Sequence, residues 1–370
     1  MSPPRKVFAP AKRSQSRLRM AIDGPAGAGK AQPLDAKILT PTGWITMGEA
    51  KPGMDICTPF GGVAKISGVY PQGPKPIYRV TFNDRCTTQC CDDHLWFTET
   101  KYERDDNRPG RVRCLRQIRK TISRHERSFH FVPMPCPITL DCGQPRPIDP
   151  YVLGLFLGDG NLRGLTPTFS KPDVELHHAI ESSIAPDLIV SYRANDPDCI
   201  GVKRRKQIGK NSFKRALTEF GLAGLYSHEK FIPASYKFAP QDVRVAVLQG
   251  LLDTDGYADD YHLEYSSSSR QLADDVQFVV QSLGGKATMS SKIPQYTHKG
   301  EKRYGKRSYR LHISLPTNIV PFRLTRKAAR YTPRSKYPPT RIIRSVDYVG
   351  IKPCQCISVD SPDGLYLTDN

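Results

Sequence analysis

The sequence predicts an α+β chain in which a β-rich region is split by an α/β insertion, and three observations predict it. Residues 31–135 and 341–370 read as short β-like segments separated by turns. Residues 148–325 alternate helical and strand-like stretches, and within them one unit is written twice. The 32 Pro and 28 Gly among 370 residues demand many turns, which excludes a long-helix bundle as the whole answer.

The bulk properties narrow the class before any element is placed. The 55 Lys+Arg exceed the 36 Asp+Glu by 19, an excess that favours a polyanionic partner. The longest apolar run, Tyr151 to Gly158, is eight residues, against the ~20 that span a bilayer, so no membrane partner is expected. The basic N-terminus lacks the apolar stretch of a secretory signal, so a cytoplasmic chain is expected. Ten Cys are too few for a disulfide scaffold; such thiols are core residues, metal ligands or nucleophiles.

Residues 1–30 form a basic arm ending in RLRMAIDGPAGAGK, a strand-like run leading into a Gly-rich loop. Gly24, Gly29 and Lys30 open a phosphate-binding loop, whose N–H groups cradle phosphates while the Lys reaches the outer ones. A Ser or Thr for Mg²⁺ and a helix should follow, but Ala31 and a turn-rich β texture follow instead. The loop is interrupted. The next strands are expected at 77–84 (IYRVTFND) and 92–100 (DDHLWFTET).

The repeat comes next. YVLGLFLGDG (151–160) and VLQGLLDTDG (247–256) are apolar helices with a central Gly and an Asp-Gly end, offset by 256 − 160 = 96 residues. Each precedes a strand-like stretch and an amphipathic helix, VELHHAIESSI or RQLADDVQFVVQSLG. Gly154 and Gly250 would let two such helices approach closely and bring Asp159 and Asp255 together. Carboxylates that close repel unless a divalent cation lies between them, and hard oxygen ligands suit Mg²⁺ and phosphodiester hydrolysis. The run 292–310 interleaves Lys and Arg with Tyr, as a phosphate-tracking strand pair does.

The paired helices resemble the LAGLIDADG homing endonuclease motif at 152–160 and 248–256. The resemblance implies two pseudo-symmetric αββαββα repeats whose sheets form a saddle on a long, asymmetric double-stranded DNA site. It makes Asp159 and Asp255 the metal-binding catalytic carboxylates, with Mg²⁺ as cofactor, and matches Lys230 of KFIP to the family's basic residue before Ile-Pro. A partner lysine in the second half stays open among Lys286, Lys292, Lys299, Lys302 and Lys306.

The interrupted loop and the split β region together resemble an intein carrying such an endonuclease, over about Ala31 to Asn370. That implies a β-rich, Hint-type horseshoe splicing domain formed by 31–135 and 335–370, with the endonuclease at 148–325. AQPLDAKILTPTGWITMGE resembles the first intein block, DHLW (93–96) the histidine block, and CISVD with LYLTDN the last two. Breaking a peptide bond needs a nucleophile and a proton donor for the departing amide; His94 is the candidate donor at the Lys30–Ala31 bond. Ala31 cannot attack. One intein class lacks the first nucleophile and carries a Trp, a Cys and a Thr, which match Trp96, Cys356 and Thr368. The resemblance then implies that Cys356 attacks the Lys30 carbonyl, a downstream Ser, Thr or Cys takes over the acyl group, and Asn370 cyclises, with no cofactor. Asp369 stands where His usually precedes the terminal Asn, and Cys91 where the histidine block often has Thr.

Residues 1–30 are read as the start of the host, a P-loop ATPase or kinase of bacterial or phage origin, partnered in cis, which would bind ATP only once reassembled across the insertion. A monomer is expected. Three alternatives remain: a free-standing DNA endonuclease with inactive flanks, a P-loop kinase or ATPase, and a DNA-binding module without metal. A zinc site from Cys86, Cys90, Cys91 and His94 with Cys354 and Cys356 is a further reading of those thiols, although they contain no C-x-x-C pair.

Overall fold

The computed structural model describes residues 31–122, 130–206, 209, 211–298, 301–333 and 338–369. The expectations at Gly24, Gly29, Lys30 and Asn370 lie outside the described residues. The chain divides into two compact units, one of residues up to Met134 together with Thr340 onward, the other Pro135–Pro339. Among the described residues no helix is long and apolar enough to cross a membrane.

The first unit is organised by two strands of twenty residues, Val63–Phe82 and Thr340–Val359, antiparallel from Ile343 and Phe82 to Val359 and Ile66. The sequence reads as several short strands here because Pro71, Pro74, Pro76 and Pro353 cannot donate to a ladder. The structure carries the strands through these prolines and absorbs the misfit as four register shifts, among them Tyr348/Gly350 and Cys354/Gln355. Such shifts bend a paired ribbon, so the pair supports one small core at each end. One holds Ile38, Met47, Ile56, Ile66 and Ile357; the other holds Val80, Phe82, Cys90, Leu115, Ile118 and Ile343. The expected strand at 92–100 is Leu95–Thr100, but two short helices, Lys101–Asp105 and Leu115–Ile122, interrupt the β texture. In the second of these Leu115 and Ile118 face inward, one turn apart, from an otherwise cationic segment.

The second unit is a duplicated α/β body around one continuous core. The helices Pro150–Asp159 and Gln241–Asp255 run through its centre, and in the first every residue from Tyr151 to Leu157 is buried. Asp149 caps the first helix by accepting from the amides of Tyr151 (2.9 Å) and Val152 (3.0 Å). Each central helix is followed by a four-stranded antiparallel sheet of the same order. In the first half this is 160–161, 168–170, 196–204, 188–193; in the second it is 256–259, 262–267, 308–314, 286–292. The second half adds a ribbon, Gln295–His298 paired with Glu301–Tyr304, before its last strand.

Candidate active sites

The two central helices touch at their glycines. A Cβ built on Gly154 would collide with the Val247 carbonyl and stand 3.0 Å from the Gly250 Cα; one on Gly250 would collide with the Tyr151 carbonyl. Bare backbone is what this crossing requires, and it carries the C-terminal ends of both helices together. Asp255 is half-buried there, close to Gly158 of the other helix. Burial, and then the neighbouring charge of Asp159, push its carboxyl up to about 6. Lys171 forms an ion pair with Asp159 at 2.5 Å and is the largest of the charges holding Asp255 down. A cavity of about 330 Å³ opens beside Asp255, lined by Tyr257, Glu264, Tyr265, Ser266 and Arg310.

Each helix end is closed by one buried lysine. Lys230 donates to the carbonyls of Phe156 (3.0 Å), Gly158 (3.0 Å) and Gly160 (2.7 Å). Lys327 donates to those of Leu252 (2.8 Å), Thr254 (3.2 Å) and Gly256 (2.7 Å), each acceptor lying 96 residues after its counterpart. These carbonyls would otherwise be unsatisfied at the negative end of a helix. Burial pulls both ammonium groups down to about 8, against the attraction of Asp255 and Asp159 at Lys230 and of Asp253 first at Lys327. Lys327 is the lysine that sequence reading leaves open, and it is none of the five candidates. Its signal was the repeat itself, since 230 + 96 = 326 falls one residue short of it.

Both lysine segments are braced by the opposite half. Ser269 donates to the Lys230 carbonyl (2.6 Å), and Asp275 accepts from the Ile232 amide (2.9 Å) and from Lys237 Nζ (2.7 Å). Reciprocally, Asp173 holds Arg326 through two bonds of 2.6 and 2.9 Å, and Glu175 accepts from the Thr325 amide (3.1 Å) and hydroxyl (2.9 Å).

In the first unit, the short strand Gln32–Pro33 pairs with Gln355 and Cys354. Continuing this antiparallel register by one residue sets Ala31 across from Cys356 (31 + 356 = 32 + 355). Ala31 is fully buried with Ile77, Cys91 and Cys354, and its carbonyl accepts from the Cys91 amide (3.0 Å). His94 follows the turn after Cys91, its amide donating to the Cys91 carbonyl (3.2 Å). Its ring meets Trp96 edge-on at 5.9 Å, and Trp96 packs against Phe82 at 6.0 Å. Burial pushes the thiols of Cys90, Cys91 and Cys354 up, so they stay protonated at neutral pH and are poor nucleophiles. Cys356 is 1% exposed. Among the described residues no group of three or more His, Cys, Asp or Glu could hold a metal ion, which leaves the zinc reading without ligands.

The end of the chain folds back along 37–39. The Leu39 amide donates to the Leu367 carbonyl (3.1 Å), and the Asp369 amide to the Lys37 carbonyl (2.9 Å). Thr368 accepts from Gln32 Nε2 (3.0 Å) and donates to the Lys37 carbonyl (2.8 Å). The Asp369 carboxylate accepts from the Lys37 amide (3.1 Å) and the Thr88 hydroxyl. Burial raises its pKa, with Thr88 opposing first. Asp369 therefore takes a structural position held by named donors, at a left-handed φ of 52°. Sequence reasoning missed Gln32 and Tyr366, whose partners lie more than 330 residues away.

Parts of the chain are similar to known proteins. Residues 242–323 match the family model of a LAGLIDADG-like domain. A replicative DNA helicase DnaB of Mycobacterium intracellulare is 26% identical over 367 residues, covering 92% of this chain and 57% of the relative. The chain thus spans little more than half the length of that relative. Among solved structures, a substituted form of the gp41-1 intein is 27% identical over 19% of this chain and 55% of its own, with a TM-score of 0.18. I-DmoI in complex with DNA and Ca is 16% identical over 50% of this chain and 95% of its own, with a TM-score of 0.32. Residues 242–323 are thus similar to a LAGLIDADG-like domain, within a chain of mixed α+β structure.

Proposed function

We propose that this chain excises itself from its host by protein splicing initiated at Cys356, and that its insertion cuts double-stranded DNA with a divalent cation, Mg²⁺, between Asp159 and Asp255. Residues 1–30 are assigned to the host, 31–135 and 335–370 to the splicing domain, and 148–325 to the endonuclease. The observation that carries the splicing reading is the pairing of Gln32 with Gln355 and of Pro33 with Cys354, which brings the segment after Lys30 onto the strand of Cys356.

In this reading the Cys356 sulfur attacks the carbonyl carbon of Lys30. The C–N bond to Ala31 breaks, and His94 gives the departing nitrogen its proton. The product is a thioester on Cys356. Trp96 packs the His94 ring and keeps the site dry, and the protonated neighbours Cys90, Cys91 and Cys354 do not compete. A hydroxyl or thiol following Asn370 then takes the acyl group, and Asn370 cyclises to free the insertion.

At the second site the donor set fits a hard divalent cation: two carboxylates on touching helix ends, one of them pushed up by burial and by the charge of the other. When bound, the cation supplies activation of water and stabilisation of the leaving oxygen. Asp159 and Asp255 would hold it; Lys230 and Lys327 fix the backbone beneath them; the strands 286–292 and 308–314 with their ribbon would track phosphates. A duplicated scaffold with unequal halves supports an asymmetric DNA site read by a monomer.

The splicing claim is tested by intact-mass spectrometry of the chain followed by Thr and a short tag, beside Cys356→Ala. The parent should yield ligated flanks and a 340-residue excised piece (370 − 30), and the variant neither. A parent that stays whole under all conditions rejects the reading.

A further inference from the structure

One side chain that neither reaction has been given ties the two splice junctions together. Gln32, one residue past the Lys30–Ala31 bond, is fully buried. Its amide nitrogen donates to Thr368 Oγ1 (3.0 Å), and its amide oxygen accepts from the Tyr366 hydroxyl (2.7 Å). The single hydroxyl hydrogen of Thr368 is committed to the Lys37 carbonyl (2.8 Å), so the nitrogen of the amide, not its oxygen, must face Thr368. Burial keeps the Tyr366 phenol protonated and hence a donor. The bonds run in one direction, Tyr366 to Gln32 to Thr368 to Lys37, and each polarises the next.

This chain links segments at opposite ends of the sequence. Tyr366 and Thr368 flank Leu367 in the stretch leading to Asn370, while Gln32 sits in a strand of only two residues. That strand is anchored on either side by the Ala31 carbonyl, bound by the Cys91 amide, and by the Leu34 amide, which donates to the Pro353 carbonyl (3.2 Å). Once the Lys30–Ala31 bond breaks, Ala31 becomes a chain end, and a two-residue strand with a free end frays.

We propose that Gln32 is a positioning residue that couples the two junctions: it holds Thr368 against Lys37 while the upstream bond is intact and releases it when that bond breaks. The inference rests on the splicing reading above. The step it restrains is the cyclisation of Asn370, in which the side-chain amide nitrogen attacks the residue's own backbone carbonyl. A succinimide closes, the C–N bond to the following residue breaks, and the proton lost by the amide passes to the released amine. If this runs before the acyl group has moved, the tail is lost without ligation.

The test is the full chain followed by Thr and a short tag, compared with Gln32→Ala, Tyr366→Phe and the double variant by intact mass. The readout is the ratio of tail released without ligation to ligated product. Each single variant is expected to raise that ratio about tenfold, the effect of about one buried hydrogen bond. The double variant should raise it no further, because both act through one chain of bonds. A role in packing alone would lower total conversion and leave the ratio unchanged, which overturns the inference while the splicing reading stands. A wild-type chain that reacts at neither junction removes both. Tyr366→Phe deletes one oxygen, so it decides the matter even if Gln32→Ala fails to fold.

Discussion

The two halves of the insertion share a topology, a helix crossing and a lysine cap, yet their chemistry differs at almost every position beside the carboxylates. Gly158 in the first half faces Thr254 in the second, and Leu157 stands where the second half has Asp253. Asp253 is buried and accepts from the Tyr151 hydroxyl (2.7 Å) and from the amides of Arg323 (3.0 Å) and Leu324 (3.2 Å). Lys171 pairs with Asp159, while the residue 96 positions later is Ser267. Among the described residues only the second sheet carries a ribbon, Gln295–His298 paired with Glu301–Tyr304. What duplicates faithfully is whatever the backbone needs in order to cross and terminate. What diverges includes the packing and charge around the two carboxylates, from the buried Leu157 and Asp253 to Lys171 and Ser267.

The largest expected effect breaks the shared part. Gly154→Val places methyl groups against the Val247 carbonyl and the Gly250 Cα, which are backbone and cannot rotate away. Overpacking of this kind costs roughly 1–3 kcal/mol or more, and thermal unfolding followed by circular dichroism should show the insertion melting earlier or not folding. Gly158→Ala is the control. Its Cβ meets a side chain, Thr254, instead of helix backbone, so the loss should be smaller, yet not absent, since the Thr254 Cβ at 2.7 Å does not move on rotation.

Much of this was legible in the sequence because the two Asp-Gly helices repeat at a fixed offset and carry their glycines at the crossing. The second lysine was not, because Lys327 sits in RKAA, without the Ile-Pro that marks Lys230. Only its acceptors, three carbonyls some seventy residues earlier, reveal its role. The two long strands of the first unit were obscured for the opposite reason. Their prolines and glycines are local signals for breaks, and the continuous pairing that overrides them is tertiary. Leu115–Ile122 was hidden by its charge, with two buried apolar residues among cations and polar neighbours. At the splicing centre, Trp96, Cys356 and Thr368 could be picked out by motif, while Gln32 and Tyr366 could not, since no local pattern predicts a bond across more than 330 residues.

A second prediction sharpens the comparison at the carboxylates. Asp255 titrates near 6 in the folded chain against an ordinary 3.8, so between those values the folded state holds more protons than the unfolded one. Stability therefore falls as pH rises through that window, and the cost is fully present at pH 7. In chelator, Asp255→Asn should stabilise the insertion at pH 7 by up to about 3 kcal/mol, and the gain should vanish below pH ~4, where both states of the carboxyl are neutral. The same variant should abolish DNA cleavage. A variant that is no more stable than wild type at pH 7 would mean that the second carboxylate carries no electrostatic cost.

The smallest effect concerns Lys171, a charge that distinguishes the carboxylates. Lys171 sits against Asp159 and lacks a counterpart at Ser267, so the two scissile strands meet different fields. The pair is partly exposed, with about a quarter to a third of each side chain accessible, and such pairs are worth only ~0.2–1 kcal/mol, which corresponds to rate differences of about twofold to fivefold. On a supercoiled plasmid carrying the cleavage site, wild type should pass through a nicked circle as one strand is cut ahead of the other. Lys171→Ser should shrink that intermediate by bringing the two rates together, and Lys171→Ser combined with Ser267→Lys should restore it with the opposite strand cut first. An intermediate unchanged in amount and strand across all three proteins would place the origin of asymmetry elsewhere, with the ribbon 295–304 the next difference between the halves to remove.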